Sequence, residues 1–490
     1  MLTAPFPALM LWLLSLIVLA VVAFDGFTRR VDFVSLRNFF YLGFVLFLLQ
    51  NAASSLYTGT YSWFTLREPQ ATGIAYLALC CMFLGLFHVF YMNVPLGRKL
   101  AGVLPSNFKT PGTGKMLVLT VFCAVLGMVL FFTVNIPYVG ILARGVGWSM
   151  AAIACGLGAW MWARNSFNPV FVFTLISVFA VSAIPALSGH SSRKPLVGLF
   201  AAAVWGAWYA SYRYRPFRSY ALPLSLLLAV GISAVALLTA TRGAGGDRER
   251  SAAQHAQAIA SGLSVNNILD GVRELSGGQS GGPISMWLVE MYPERRPFEP
   301  LFTARYYFMF PLPRAYFPWK GEPVSVRIAK MADVEGVDQD FIKVSPGMMG
   351  QFWIDGGWLA VAFYAVPLGI IFRMLDEWAR RNANSVFVVL PLGSGLAEII
   401  GLPRGEVTLF AFNATRAIIL TFILMVILAK IFRLEDTRRE DPDVDHWLDD
   451  HEYAWEGEDE YDHDVHEEHE YPEDGYTDYN DEYDRPSAAR

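Results

Sequence analysis

The string PLPRAYFPWKGEP at 311–323, preceded by TARYYFMF at 303–310, sets Arg305, Arg314 and Lys320 among Tyr306, Tyr307, Phe308, Tyr316, Phe317 and Trp319. Pro311, Pro313 and Pro318 deny this stretch a regular helix interior and stiffen the backbone that presents the cations. Arginine meets phosphate oxygens in pairs, lysine adds a compact charge, and aromatic faces can stack on sugar rings. The string therefore suits a phosphate joined to a sugar; the blander alternative is an aromatic belt that only sets the loop's depth at a membrane surface. In TATRGAGG at 239–246, Arg242 leaves an apolar segment and is followed by glycines that let the backbone approach a ligand, although an arginine there also serves as an interface anchor. LPRGE at 402–406 supplies Arg404 and Glu406, and Arg416 lies within the last apolar segment. An arginine at membrane depth is costly, so it is either functional or paired structurally, here with Glu398.

These clusters need elements to hold them. The chain has 490 residues, of which 54% are hydrophobic and 14% aromatic, and it repeatedly reaches the roughly 20 apolar residues that span a bilayer. Candidate spans are 6–24, 38–56, 71–92, 116–135, 146–163, 168–187, 195–212, 220–240, 350–372, 383–402 and 408–432, about eleven in all. The expected fold is thus an all-α polytopic membrane protein. Residues 1–240 form an N-terminal bundle of about eight spans, 241–348 one long loop, 349–433 about three further spans, and 434–490 a tail. Arginine and lysine favour the connections after spans 1, 3, 7 and 9, which places the N-terminus outside, the long loop on the extracytoplasmic face and the tail in the cytoplasm. Arg29 and Arg30 follow the first segment and no cationic stretch precedes it, as suits a first span rather than a signal peptide.

The loop carries 12 Lys/Arg and 12 Asp/Glu, too balanced for a nucleic-acid footprint and too polar for another span. Ala252, Ala256, Ile259 and Leu263 have helical spacing within 250–275, and SGGQSGG at 276–282 reads as a flexible turn. The tail has 24 Asp/Glu against 4 Arg and almost no aliphatic residues, so it is expected to be disordered. Its five histidines read as part of a solvated low-complexity stretch. Cys80, Cys81, Cys123 and Cys155 all fall in apolar segments, without metal or disulfide spacing.

In this order the clusters resemble the bacterial oligosaccharide repeat unit polymerases, the Wzy-type O-antigen and exopolysaccharide polymerases. The resemblance rests on Arg242-Gly243 after a mid-chain span, on Pro313-Arg314 with Pro318-Trp319-Lys320, on SPGMMGQFWIDGGWLA at 345–360, and on Arg404-Gly405-Glu406. It covers about 240–417 and departs at Trp319, where the family commonly has an acidic residue before the lysine. It implies the GT-C-like, all-helical membrane glycosyltransferase fold shared with O-antigen ligases, in a bacterial inner membrane. The implied substrate is a polyprenyl diphosphate-linked oligosaccharide, with a flippase and a chain-length regulator as protein partners and no cofactor. On this reading Arg242, Arg314 and Lys320 are catalytic, and Arg305, Arg404, Glu406, Arg416, Tyr316 and Trp319 bind substrate.

For the acceptor hydroxyl the available outer-side bases are His255, Glu290, Asp355 and Glu406, none singled out by spacing; Asp355 reads equally as a cap or partner at the start of a span. No metal-binding constellation stands in the loop, so a metal-independent reaction is expected. An O-antigen ligase and a flippase for the lipid-linked oligosaccharide are the competing readings. Deleting 434–490 is expected to leave membrane insertion and activity largely unchanged, read from membrane-fraction abundance and product length. A truncated chain that fails to accumulate would give the tail a folding role.

Overall fold

Lipid offers the backbone no hydrogen-bond partners, so long apolar runs must close their hydrogen bonds internally as helices. In the computed structural model the described residues are 3–61, 64–106, 108–133, 139–187, 194–240, 257, 264–277, 281–312, 316–331 and 344–432. Their helices begin with α1 (Pro5–Phe27), α2 (Leu36–Phe44), a π-helical turn at Val45–Leu49, α3 (Gln50–Thr58), α4 (Pro69–Met92) and α5 (Leu96–Ala101). They continue with α6 (Thr113–Phe132), α7 (Val139–Arg164), α8 (Pro169–Leu187), α9 (Lys194–Ala210) and α10 (Phe217–Ala240). From the long loop onward come α11 (Val265–Gly277), α12 (Gly281–Met291), α13 (Phe302–Met309), α14 (Val324–Met331), α15 (Met348–Arg381), α16 (Val386–Ser394), α17 (Leu396–Gly401) and α18 (Val407–Ile431). Residues 1–436 make one compact unit; the second unit, 437–490, and the tail histidines lie outside the described residues.

Among the described residues eight helices are long and apolar enough to cross a bilayer: α1, the α2–α3 run, α4, α6, α7, α10, α15 and α18. The other three expected spans are helical at α8, α9 and α16–α17 but fall short of that standard. The described part of the long loop packs partly inside the bundle. Its α12 is buried along most of its length, with Ile284, Met286 and Leu288 essentially inaccessible, and it packs against α3, α4 and α15. Of the helix expected within 250–275, the stretch from Val265 belongs to α11, while Ala252, Ala256, His255, Ile259 and Leu263 lie outside the described residues.

The connections sort into two ends. At one end Arg37 pairs with Asp25 at 2.9 Å, Arg213 with Asp32 at 2.8 Å, and Arg381 donates to the Arg98 carbonyl at 3.3 Å. Trp378 donates to the Pro105 carbonyl there at 2.9 Å. At the other end Glu290 accepts from the Arg67 and Glu68 amides at 3.0 and 3.2 Å. There too, Met348 donates to the Pro403 carbonyl at 2.9 Å. The arginine-rich connections therefore share one end and the long loop the other, which is the alternation that the charge pattern requires.

Close packing at the centre comes from small residues. A side chain at Gly206 would collide with the Gly156 backbone, so α7 and α9 approach nearly to contact, as transmembrane pairs rich in Gly and Ala do. Three runs are interrupted: α2–α3 at the π turn, α16–α17 at Gly395, and α15 at Gly356 and Gly357. Gly357 sits at φ +60°, where a β-carbon would be strained. The break separates 348–355 from the long arm 358–381.

At the arginine end, Asp376 on the long arm of α15 accepts from the Leu36 amide at 2.7 Å, the Arg37 amide at 3.2 Å and the Tyr91 hydroxyl at 2.9 Å. It therefore caps the start of α2 from another helix. Asp376→Ala leaves two buried amides and a hydroxyl without that acceptor and is expected to lower stability by about 2–4 kcal/mol, against about 1 kcal/mol for Tyr91→Phe. Thermal unfolding in detergent checks the order.

Candidate functional site

The aromatic and cationic string hangs between two carboxylates. Upstream, Asp355 stands at the end of the short arm of α15, next to the glycine break. It accepts from the Thr303 amide at 2.9 Å, the Thr303 hydroxyl at 3.0 Å and the Tyr364 hydroxyl at 2.5 Å. These bonds fasten the first turn of α13, the helix that carries Arg305. Downstream, buried Glu406 accepts from the Ser325 hydroxyl at 2.8 Å and lies 3.4 Å from the Val324 amide, at the first turn of α14. A third tie links α14 to the segment before α13, where the Arg327 guanidinium donates to Glu299 at 2.9 Å. That hydrogen bond holds the Arg327 pKa above its ordinary value.

Within the string, Lys320 is buried. Its Nζ donates to the Phe310 and Leu312 carbonyls at 2.6 and 3.0 Å, below the rings of Tyr306 and Phe310. It thereby ties off the carbonyls beyond the C-terminus of α13. The Phe310 ring meets Phe412 at a tilt, 5.0 Å between centres, and the Tyr307 hydroxyl bonds Thr415 at 2.8 Å, so α13 lies across α18 beside Arg416. Tyr316 and Trp319 are exposed, as is Arg305, whose guanidinium is 6.0 Å from the Phe302 ring.

Below this strap, at the same end, a cleft opens between α7, α9, α17 and α18. Lys194, Glu398, Asn413 and Arg416 line it together with Ser149, Ser182 and Ser394. The cleft is a small cavity of about 40 Å³ that opens to the outside. Lys194, the first residue of α9, forms an ion pair with Glu398 and stands 4.2 Å from the centre of the Phe410 ring. Arg416 is nine residues into α18, about 13 Å along its axis. It lies within electrostatic range of Glu398, which is ion-paired with Lys194. Its guanidinium fills the space that a side chain at Gly145 of α7 would occupy. Two cations thus share the lining with one carboxylate, an arrangement that attracts an anion into a low-dielectric setting. Arg404 stands nearby, half-buried, with its guanidinium 5.8 Å from the Phe47 ring.

Arg242, Arg314 and His255 lie outside the described residues. Of the others, Lys320, Arg404, Glu406 and Arg416 gather at the loop end of α18, while Arg305, Tyr316 and Trp319 face outward. The three described candidate bases are all engaged as acceptors: Glu290 caps α4 and takes the Thr72 hydroxyl at 2.6 Å, Asp355 holds α13, and Glu406 holds α14. These roles are positional. Lys194, Asn413 and Gly145 were missed as site residues. Lys194 ends a short connection between two apolar segments, and nothing in its local spacing shows that it turns into the bundle. No protein-family model, curated protein or solved structure matches this chain.

Removing either carboxylate frees one end of the strap. Asp355→Ala and Glu406→Ala each forfeit buried hydrogen bonds of about 1–3 kcal/mol in sum, which makes local opening roughly 5- to 150-fold more frequent. Trypsin cleavage after Lys320 is expected to accelerate accordingly in both variants, measured against cleavage within the tail as an internal standard.

Proposed function

We propose that this chain is a membrane glycosyltransferase that joins polyprenyl diphosphate-linked oligosaccharide repeat units into a surface polysaccharide, working at the extracytoplasmic face of a bacterial inner membrane. The observation that carries this reading is the cleft at the loop end, where Lys194 and Arg416 outnumber Glu398 beside the stretch of α18 that α13 crosses at Thr415. A lipid-linked donor has the matching parts: an isoprenoid for the bilayer, a diphosphate for the cations and a glycan for exposed rings such as Tyr316 and Trp319.

In the reaction, the bond between the anomeric carbon and the diphosphate oxygen breaks. The hydroxyl oxygen of an acceptor glycan takes that place on carbon and releases its proton. Negative charge grows on the departing diphosphate, so cations fixed there stabilise the transition state more than the bound ground state. Arg416 and Lys194 are assigned that role in the cleft, with Arg404 at its rim and Arg242 and Arg314 contributed by the loop. Lys320 takes a share in shaping the strap through its two carbonyl contacts. The acceptor is a second repeat unit in the polymerase reading and a lipid A core sugar in a ligase.

One structural feature favours a second reading. The interrupted helices α2–α3, α15 and α16–α17 are of the kind that transporters use, so a flippase for the same lipid-linked substrate is the alternative. Purified protein reconstituted with a polyprenyl diphosphate-linked repeat unit from its own host separates the readings. A ladder of lengthened glycans is expected. Arg314→Ala and Arg416→Ala should each reduce it by about 100-fold or more, the scale of losing one transition-state donor, with protein abundance unchanged. Substrate crossing the bilayer without lengthening would sink the polymerase in favour of transport, and transfer only to lipid A core would identify a ligase.

A further inference from the structure

Within the long loop, α13 sets Leu301, Arg305 and Phe308 on one exposed face, at i, i+4 and i+7, while Phe302, Thr303 and Tyr306 are buried on the other. Phe308 is 76% exposed. What this face meets follows from the level at which α13 lies against two membrane-crossing helices. α18 supplies the first ruler. Its exposed Lys430 marks headgroup level at the arginine end, and Thr415, which bonds Tyr307 of α13 at 2.8 Å, stands fifteen residues earlier, about 22 Å along the axis. A hydrocarbon layer of about 30 Å then ends only about 8 Å beyond Thr415. α15 supplies the second ruler. Trp358 is exposed just after the glycine break, where an interfacial aromatic belongs, and the next exposed side chains toward the arginine end are Leu359 and Phe363. The Tyr364 hydroxyl accepts from the Ala304 amide of α13 at 3.3 Å and donates to Asp355 at 2.5 Å, so α13 joins α15 at the level of Leu359 and Phe363. Both rulers put α13 within about 10 Å of the hydrocarbon edge at the loop end.

A segment at that depth must close its backbone hydrogen bonds without water. The ends of α13 meet this demand. The Phe302 amide donates to the Glu299 carbonyl at 3.1 Å, and the Thr303 and Ala304 amides are taken by Asp355 and Tyr364 of α15. Past the other end, Lys320 Nζ takes the Phe310 and Leu312 carbonyls. A short helix bathed in water would leave such groups to solvent. The exposed face also has the make-up of an interfacial helix, since Leu301 and Phe308 flank an arginine whose apolar stem can run along acyl chains while its guanidinium reaches the phosphates. Lipid is continuous with this face, because the neighbouring Leu359 and Phe363 already point out of the bundle.

We propose that α13 lies in the bilayer interface, with Leu301 and Phe308 among the acyl chains of the loop-side leaflet and Arg305 at the lipid phosphates. The placement is independent of the reaction assigned to the cleft. Nitroxide labels on the full chain in liposomes of phosphatidylethanolamine and phosphatidylglycerol test it. The background is Cys81→Ala, because Cys81 is exposed while Cys80, Cys123 and Cys155 are buried. Leu301→Cys and Phe308→Cys are labelled and read by power saturation with oxygen, which concentrates in hydrocarbon, and with a nickel chelate, which stays in water. Phe363→Cys serves as the lipid reference, and Glu294→Cys, exposed beside Arg295 and Arg296, as the aqueous one. An oxygen-to-chelate ratio at both α13 labels several-fold above the Glu294→Cys value, and close to that of Phe363→Cys, is expected. Adding Arg305→Glu to the Phe308→Cys chain should lower its ratio by repulsion from the phosphates, and Arg305→Lys should preserve it. A Phe308→Cys ratio equal to that of Glu294→Cys would overturn the proposal. So would low access to both reagents, since another part of the chain or a second copy would then cover the face. An unchanged ratio in the Arg305→Glu chain would overturn the phosphate contact.

Discussion

The backbone amide at the start of a helix has no partner of its own, and where water is absent another part of the chain must supply one. At four described helices this protein meets that demand with carboxylates borrowed from distant segments. Asp376 serves α2, Glu290 serves α4, Asp355 serves α13 and Glu406 serves α14, while the Gln351 side chain accepts from the Val407 amide at 2.7 Å to start α18. Each such bond does two things at once: it lets a helix begin in an apolar setting and it fixes that helix against the element which lent the oxygen. The strap is held because its two flanking helices are both begun in this way.

The same economy divides the charged groups between the two ends. At the arginine end Arg37 is fully buried against Asp25 near the Tyr91 ring and Arg373 is buried beside Glu377, while Arg380 and Arg381 reach Glu377 from the surface. At the loop end cations turn inward: Lys320 under the strap, Lys194 and Arg416 in the cleft. Burying a cation costs more than burying an apolar isostere unless it is well paired, so the inward cations at both ends depend on the carboxylates and carbonyls beside them.

The membrane class was legible because apolar runs of about twenty residues have few alternatives to a helix, and the alternation of ends followed from where Arg29, Arg30, Arg98 and Arg213 stand. The number of crossing helices was less so. The runs at α9 and α16–α17 are as apolar as spans, and hydropathy does not register that Lys194 begins the first of them or that Gly395 divides the second. Within the long loop, SGGQSGG read as a flexible turn, yet Gly281 and Gly282 open a buried helix, because small residues permit close packing as well as flexibility. Arg416 drew attention through depth alone. Its neighbours Lys194 and Gly145 could not, since they come from helices far away in sequence and their meeting is decided by tertiary packing. Asp355 and Glu406 were legible as polar groups beside the loop, but whether a carboxylate takes a proton or holds an amide depends on which donors face it.

The π-helical turn at Val45–Leu49 carries a further meaning. Such a turn accommodates one residue more than the regular helix would, and it rotates everything after it by about 100° about the axis. Here that rotation presents the Leu48 carbonyl and Ala52 to Gly282 at the opening of α12. Deleting one residue would restore an unbroken ladder of hydrogen bonds and make a better isolated helix, while turning Ala52 and Asn51 away from the buried loop helix they now support. Length variation in this stretch would therefore be tolerated only together with change in the glycines at 281 and 282, and the two segments, more than two hundred residues apart, should drift as a pair.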